Sequence, residues 1–342
     1  MPSINILDLQ KAGDSDVMRP IIELNVGKFP ELLYFPAESL GAGKFGYKTL
    51  KRIGYPTAAF HDLGAGVASS KSITKLETFE TFSISSRVEC PKQTADDWPR
   101  GGAAGYFAFE SAGIAAASMF QIAKQTWYGR GGNSNKGFPG IKNFCAFATT
   151  VTDPLSGKVY NMVVNAAGTT ANTASSAYLV KFSGDPTTQP DGIQYEFGGK
   201  SPFELPDPRI GDMTDPQNAA LRIEAYIAVM TARAGLQIPS EHCVRRIANL
   251  TDDAGKGMTD ALLGKAMAEF PQGYRPDRIF MSTHQRYLLQ LSRTVVLQGQ
   301  GTDRPNQPNI APVPTEYDGI PISATDAIGD TDAIETTAAA EE

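Results

Sequence analysis

A period of two in the apolar positions is clearest between residues 82 and 88. Phe82, Ile84 and Val88 are separated by polar residues, which is typical of a half-buried strand. The stretch before this strand is polar and rich in glycine and serine. The pattern predicts a long hairpin from Thr57 to Glu89 with a mobile tip, a unit that buries little surface within its own subunit.

A helical period follows, from Ala95 to Tyr128. Apolar and small residues recur at steps of three and four, which predicts one stripe along the helix: Phe109, Gly113, Ala116, Phe120, Ala123 and Trp127. Two aspartates near the start complement the helix dipole, and glycines after Tyr128 end the helix. We therefore expect Phe120 and Trp127 to be core residues.

The rest of the chain predicts shorter elements. Strands separated by turn signals are expected at 144–151, 159–164, 177–182, 243–250 and 278–281. Residues 221–229 fit both a helix and a strand. Helices are expected at 259–270 and 283–297, followed by a proline-rich loop over 298–317 and a turn into a short strand at 318–322.

The first 45 residues carry short apolar clusters interrupted by Pro20, Pro30 and Pro36. Proline removes a backbone donor and fixes φ, so no helix runs through this segment and a long strand is not expected. We predict an extended arm that lies on another part of an assembly.

Charge and composition exclude several classes of protein. The chain has 31 basic and 37 acidic residues, but six acids and no base fall in the last seventeen residues, so the remainder is balanced. A protein that binds nucleic acid tightly usually has an excess of basic residues.

With 342 residues and 41% hydrophobic residues the chain can bury a core. Its longest uncharged apolar stretch, Ser111 to Ala123, is shorter than the roughly 20 residues that cross a bilayer.

Cysteine usage and the N-terminal sequence indicate a reducing compartment. Cys90, Cys145 and Cys243 are odd in number and widely spaced, so we expect free thiols. The N-terminus has no pattern of a secretory signal, and secretion is not expected.

Two short motifs match catalytic or binding fingerprints but lack their context. Gly41 to Gly46 fits G-x-G-x-x-G, yet proline interrupts the lead-in and any helix after it is short; Tyr47 also stands where a P-loop needs lysine. Ser72 to Lys75 fits S-x-x-K but lies in the predicted hairpin, whereas that motif needs a helix.

Candidate metal ligands and nucleophiles are equally scattered. His61, His242 and His284 are far apart, and adjacent His242 and Cys243 point to opposite faces of a strand. Asp252-Asp253 is read as a solvated turn. We predict no catalytic, cofactor-binding or metal-binding residue, no cofactor, and a structural or binding role rather than an enzyme.

The order of these parts resembles the major capsid proteins of tailed bacteriophages, which have the Hong Kong 97-type shell fold. The similar stretches span most of the chain: 59–66, 127–129, 138–141, 234–237, 244–250, 278–282, 318–322 and 326–328. The resemblance implies an α+β fold with an N-terminal arm, an extended β-hairpin loop, a peripheral domain with a long spine helix, and an axial domain.

The same resemblance implies boundaries for these parts. The arm would be 1–45 and the extended loop 46–90. The peripheral domain would combine 91–135 with 200–250, and the axial domain 136–199 with 251–330. An acidic C-terminal tail would follow at 331–342.

The implied function is that of a viral major capsid protein. It would self-assemble as hexamers and pentamers into an icosahedral head around double-stranded DNA, which it would enclose without sequence-specific binding or a membrane. A separate scaffolding protein is expected because the 45 residues before the hairpin leave no room for a built-in scaffold, and a portal protein would occupy one vertex. A decoration protein is a further candidate partner. The expected location is the virion, and the host cytoplasm during assembly.

Two alternatives remain open from the sequence. An encapsulin-like bacterial nanocompartment shell shares this fold, and an unrecognised enzyme would use Gly41–Gly46 or His242. In some capsid relatives a loop lysine forms an isopeptide crosslink; Lys71 and Lys75 lie in the corresponding loop, where a solvated tip is the favoured interpretation.

Overall fold

The computed structural model describes residues 29–40, 44–130, 136–147, 149–184, 191–198, 203–204, 207–215, 218, 220–299 and 310–336. The helices of these residues are α1 (Pro30–Tyr34), α2 (Lys92–Asp96), α3 (Gly102–Tyr128), α4 (Ile141–Phe144), α5 (Asp260–Ala268) and α6 (Thr283–Gly299). The first strands are β1 (Ala37–Ser39), β2 (Gly46–Gly54), β3 (Ile73–Glu80), β4 (Phe82–Pro91), β5 (Thr150–Thr152), β6 (Val159–Asn161), β7 (Val163–Asn165) and β8 (Ser175–Val180). The remaining strands are β9 (Gln194–Phe197), β10 (Phe203–Glu204), β11 (Arg209–Thr214), β12 (Arg222–Gln237), β13 (Val244–Leu250), β14 (Arg278–Met281), β15 (Glu316–Tyr317) and β16 (Ile320–Ala324).

The long strand β12 organises the first six-stranded sheet. One edge of β12 pairs antiparallel with β4, and the other edge pairs with β11, β10 and β9 in turn. Strand β1 extends the sheet by pairing parallel with β9. The ambiguity at 221–229 is thereby settled as a strand, because hydrogen-bonding partners on both edges override the helical preference of its alanines.

The second six-stranded sheet has the order β15-β16-β14-β8-β13-β7 and is covered on both faces. On β8, Tyr178 and Val180 enter the cluster that contains Trp127, whereas Ala177 and Leu179 enter the cluster that contains Leu263 of α5. Alternate side chains point to opposite faces of a strand, so β8 is buried throughout. The predicted helices over 259–270 and 283–297, and the strands over 159–164, 177–182, 243–250, 278–281 and 318–322, are confirmed to within a few residues.

The hairpin differs from its prediction in its boundaries. Its strands are β2 and β3, joined by the irregular residues 55–72. The alternating segment 82–88 is a strand with the expected burial pattern, but it is β4 and pairs with β12. Alternation identifies a strand and its buried face, and it carries no information about the partner strand, which is why the prediction over 57–89 was wrong.

The predicted helix from Ala95 to Tyr128 is broken near its start. Helix α2 ends at Asp96 and α3 begins at Gly102, after Pro99 and a left-handed Gly101 with φ of 92°. Proline disfavours helical backbone in the residue before it, and the left-handed glycine redirects the chain.

The apolar stripe predicted along this helix is also wrong in its middle. Ala123 and Trp127 are fully buried, but Phe120 is 40% exposed, and Gly113 and Ala116 are exposed as well. The two ends of α3 pack into different clusters, and the face that carries Gly113 and Ala116 between them stays exposed.

Other departures concern the arm and the run at 144–151. Residues 1–28 lie outside the described part of the chain, but 29–39 form a helical turn and a strand rather than a loosely lying arm. Pro30 is tolerated because it stands in the first turn of α1. Phe144 ends the short helix α4, and only Thr150–Thr152 form a strand there; periodicity cannot distinguish a short buried strand from a helical turn.

The strands cross the predicted division into peripheral and axial domains. Strand β13, grouped with the peripheral part, lies in the second sheet with β8 and β14, and β9, grouped with the axial part, lies in the first sheet beside β12. The division itself stays a prediction.

Candidate assembly surfaces

The hairpin presents one apolar face that its own subunit does not cover. In the register of β2 and β3, Leu50 stands opposite Leu76, and the two side chains are 70% and 55% exposed. Lys48 and Arg52 border Leu50 on the same face and are also exposed. Because side chains alternate along a strand, Tyr47 and Lys51 point to the opposite face.

The residues that join the two hairpin strands are more exposed still. Phe60 and Leu63 are fully exposed and Val67 is 69% exposed. Within this segment Ser70 donates its hydroxyl to the Thr57 carbonyl at 3.1 Å. Large apolar side chains cost free energy when water surrounds them, so this tip gains stability when another surface covers it.

Polar contacts along its inner face and at its base hold the hairpin on the body. Lys51 donates to the Glu241 carboxylate, with Nζ and Oε2 3.0 Å apart. On the same face Tyr47 donates to Glu196 at 3.3 Å. The backbone N–H of Thr81 donates to the Phe45 carbonyl at 2.8 Å. These contacts fix the inner face of the hairpin and leave its outer face uncovered.

The arm enters the core through α1. Phe35 is buried against the rings of Trp127, Phe182, Tyr195 and Phe280. Ala327 and Ile328, near the far end of the described chain, belong to the same cluster.

A buried carboxylate, Glu31, also attaches α1. Trp127 donates its indole N–H to Glu31, with Nε1 and Oε1 2.7 Å apart. Burial raises the pKa of the fully buried Glu31 carboxyl, although hydrogen bonds from Thr325 and Trp127 oppose the rise. The guanidinium of Arg278 lies 3.4 Å from the centre of the Tyr34 ring, a cation–π contact that adds to the attachment.

The segment before residue 336 is held by ion pairs rather than solvated as an acidic tail. Arg246 donates two hydrogen bonds to the Glu335 carboxylate, at 2.8 and 2.6 Å, and Lys142 donates to Asp332 at 2.8 Å. Asn249 donates to the Glu335 carbonyl and accepts from its backbone N–H. Although burial opposes it, the Arg246 guanidinium lowers the pKa of Glu335.

The structure places described residues of both short motifs on strands, where the motifs would need helices. Gly46 begins a strand, where a dinucleotide site needs the start of a helix; residues 41–43 lie outside the described residues. Lys75 lies within the strand β3, just after Ser72.

Of the three histidines, His242 and His284 have ring or acid neighbours, while His61 is exposed in the hairpin tip. The His242 ring packs near Tyr160 and Tyr274. Cys243 is buried and donates its thiol to the Asp191 carbonyl.

Contacts at Asp252-Asp253 were missed by sequence reasoning. Asp253 accepts hydrogen bonds from Thr170, Thr169 and Thr251, which hold the pKa of Asp253 well below its ordinary value. Asp252 lies 2.5 Å from Nε2 of His284. Apart from Thr251, which lies two residues before Asp253, the partners are 83 to 84 and 32 residues away, and no local pattern indicates them.

Within the described residues, no cluster of three or more histidine, cysteine, aspartate or glutamate side chains is arranged to hold a metal ion. The helices of the same residues include none that is both long and apolar enough to span a bilayer.

Comparison with known families decides what kind of protein has these surfaces. The family model described as major capsid protein GP7 matches residues 38–335. The chain belongs to this family of major capsid proteins. The capsid subunit is thus a structural protein of the virion capsid, and it assembles with other copies of itself into a shell. Comparison of its sequence with curated proteins finds no significant match.

Solved structures agree with the family. The capsid subunit is similar to a chain in the structure of bacteriophage epsilon15, with 16% identity, 97% of each chain covered and a TM-score of 0.65. A chain of the bacteriophage JBD30 capsid is 10% identical, with 89% of the subunit and 91% of that chain covered and a TM-score of 0.49. A chain of the SrpI encapsulin of Synechococcus elongatus is 9% identical, with 73% of the subunit and 97% of that chain covered and a TM-score of 0.40.

These findings confirm the resemblance to tailed-phage capsid proteins and the α+β Hong Kong 97-like fold of the capsid subunit. The family match favours a capsid over an encapsulin-like compartment.

Proposed function

We propose that the subunit forms hexamers and pentamers that close into an icosahedral head around double-stranded DNA, and that the outer face of the hairpin docks on an adjacent copy in each of them. The observation that carries this proposal is the exposed Leu50–Leu76 pair together with Phe60 and Leu63. Monomeric proteins rarely expose contiguous apolar surface of this kind unless it binds a partner.

The test is a charge placed on this face. Leu50→Glu should leave the subunit folded and prevent shell formation, because an ionised carboxylate would be buried in the contact without a partner. Leu155→Glu is the matched control, since Leu155 is 75% exposed in a turn far along the chain. Negative-stain microscopy and sedimentation measure assembly. Normal shells from Leu50→Glu would contradict the proposed contact.

We further propose that the enclosed DNA is held without sequence-specific binding and that the subunit has no enzymatic activity. The balance of 31 acidic and 31 basic residues before residue 326 supports weak, non-specific contact with DNA. Titration of unassembled subunits with DNA fragments of different sequence should give weak binding that salt abolishes. A strong preference for one sequence would contradict this part of the proposal.

Partners other than the subunit itself are also part of the proposal. The same chain must take different contacts in hexamers and pentamers, and a hairpin whose outer face is free of its own subunit tolerates such differences. Tolerance also permits wrong curvature, so we expect a separate scaffolding protein in the host cytoplasm, a portal protein at one vertex, and a decoration protein as a further candidate. Expression alone should give aberrant shells or free capsomers, and co-expression with a scaffold should restore uniform size. Uniform shells without a scaffold would favour an encapsulin-like compartment.

A further inference from the structure

One attachment point of the hairpin is a buried carboxyl group. Glu196 on β9 is 3% exposed. Tyr47 of β2 donates to its Oε1 at 3.3 Å and the Gln194 side chain donates to the same atom at 2.7 Å. Because Tyr47 comes from the hairpin, the docked hairpin helps to cover this carboxyl group, and release of the hairpin would return it to water.

The nearest acidic neighbour of Glu196 does not favour a negative charge there. Glu38 of β1 stands directly opposite Glu196 in the parallel register. On the other side, Arg233 of β12 lies over the Phe45 ring, with its guanidinium carbon 4.3 Å from the ring centre. Burial, followed by the charge of Glu38, raises the pKa of Glu196, whereas hydrogen bonds from Gln194 and Tyr47 oppose the rise.

We propose that Glu196 is a proton-sensitive latch for the hairpin: the docked hairpin favours the protonated carboxyl, and ionisation of Glu196 favours release. The docked state binds the proton more tightly than the released state, in which the carboxyl is solvated. The contribution of Glu196 to docking is therefore strongest below the ordinary pKa of a glutamate and weakens as the pH rises through the raised value.

A second carboxylate that contacts the hairpin, that of Glu241, responds to pH in the opposite direction. Although burial opposes it, hydrogen bonds that include that of Lys51 lower the pKa of Glu241. The Lys51–Glu241 contact is thus lost only as the pH falls below the ordinary glutamate value. The neighbouring His242 has a pKa lowered by burial and by Arg245. Of these three groups only Glu196 weakens docking as the pH rises between about pH 5 and pH 8.

The experiment is amide hydrogen exchange of the full-length, unassembled subunit across this pH range, corrected for intrinsic exchange rates. In the natural protein, protection of β2 and β3 should fall severalfold as the pH rises. Glu196→Gln should make protection independent of pH. Tyr47→Phe should steepen the dependence, because it removes a hydrogen bond that opposes the raised pKa.

Glu80→Gln is the matched control, since Glu80 is an exposed glutamate of the same hairpin and should behave like the natural protein. Unchanged pH dependence in Glu196→Gln, or a flattened one in Tyr47→Phe, would overturn the latch. If Glu196→Gln does not fold, the sign of the Tyr47→Phe effect still decides. Only the consequence for assembly rests on the proposed function. If the exchange experiment gives the expected pH dependence but Leu50→Glu forms normal shells, the latch stands and the docking role of the hairpin face is refuted.

Discussion

The hairpin and the second sheet are both built from β-strands, yet they differ sharply in how far their residues are buried. Every residue of β13 is buried, including its two arginines, whereas β3 exposes Leu76 and most of its length. The second sheet has apolar clusters on both faces. The hairpin has two strands and one uncovered face, and an isolated pair of strands is marginally stable in water. Burial is thus decided by the layers on either side of a strand, and the layer that the hairpin lacks has to come from outside the subunit.

The way in which each region is held differs accordingly. Apolar packing around Trp127 and Phe280 holds the second sheet. Polar contacts of Tyr47 and Lys51 hold the hairpin. Loss of a core side chain should therefore unfold the subunit, while changes in the hairpin should affect assembly and leave folding intact.

The largest effect is expected from Trp127→Ala. Trp127 is fully buried among Phe35, Tyr178 and Phe280, so its truncation should lower the free energy of unfolding by about 3–5 kcal/mol. Phe120→Ala is the control on the same helix; its 40% exposed ring should cost only about 1 kcal/mol. Denaturant unfolding of the unassembled subunit measures both. Equal losses would mean that the exposed part of α3 is packed as firmly as its end.

A loss of similar or slightly smaller size is expected from Arg246→Ala. This arginine is 2% exposed and pairs with Glu335, and removal of one partner of a buried pair typically costs about 3–5 kcal/mol. Arg275 pairs with Asp318 at the surface, so Arg275→Ala should cost less than about 1 kcal/mol. Thermal melts of the two variants measure the difference. If Arg246→Ala melts like Arg275→Ala, the ion pair does not hold the segment before residue 336.

A smaller, pH-dependent effect is expected at Glu31. Its pKa is raised in the folded state, mainly by burial, so the folded protein binds the proton more tightly and loses stability as the pH rises through the raised value. The melting temperature should fall by a few degrees between about pH 5 and pH 8. Glu31→Gln should reduce this dependence, and Glu316→Gln, at an exposed position, should retain it in full. The interpretation fails if Glu31→Gln melts with the same pH profile as the natural protein.

The smallest effect on folding is expected at the hairpin tip. Phe60 and Leu63 are fully exposed, so the double change to serine should alter the free energy of unfolding by less than about 0.5 kcal/mol. Shell yield should nevertheless fall, because serine at these two positions would remove the apolar contact that the proposed docking on an adjacent copy needs. A destabilised monomer would show that the tip packs on its own subunit.

Much of the fold follows from local patterns in the sequence. The period at 82–88 predicts the strand β4, and Thr259 caps α5 close to the predicted start of that helix. Partners are harder to predict, because alternation does not reveal that β4 pairs with β12. The exposed Phe120 was misplaced because a helical period does not reveal where another element covers the helix.

The candidate surfaces were predictable to different degrees. A hairpin that buries little was expected from its polar tip, and the family match makes an assembly role its natural reading. The attachments of Glu31, Glu196 and Glu335 were not predictable, since each joins residues that are far apart in sequence except for Gln194 and Glu196. Such contacts leave no periodicity and emerge only from the three-dimensional fold.

The cluster that joins Phe35 to Ala327 and Ile328 also sets an order of events during synthesis. A nascent chain emerges from its N-terminal end, so the ring of Phe35 reaches solution long before the two residues that complete its surroundings. Until then the cluster around Phe35 lacks part of its surroundings. The ribosome thereby delays the appearance of a competent subunit, and neighbouring chains on one message have little opportunity to associate before each has been translated almost to residue 328.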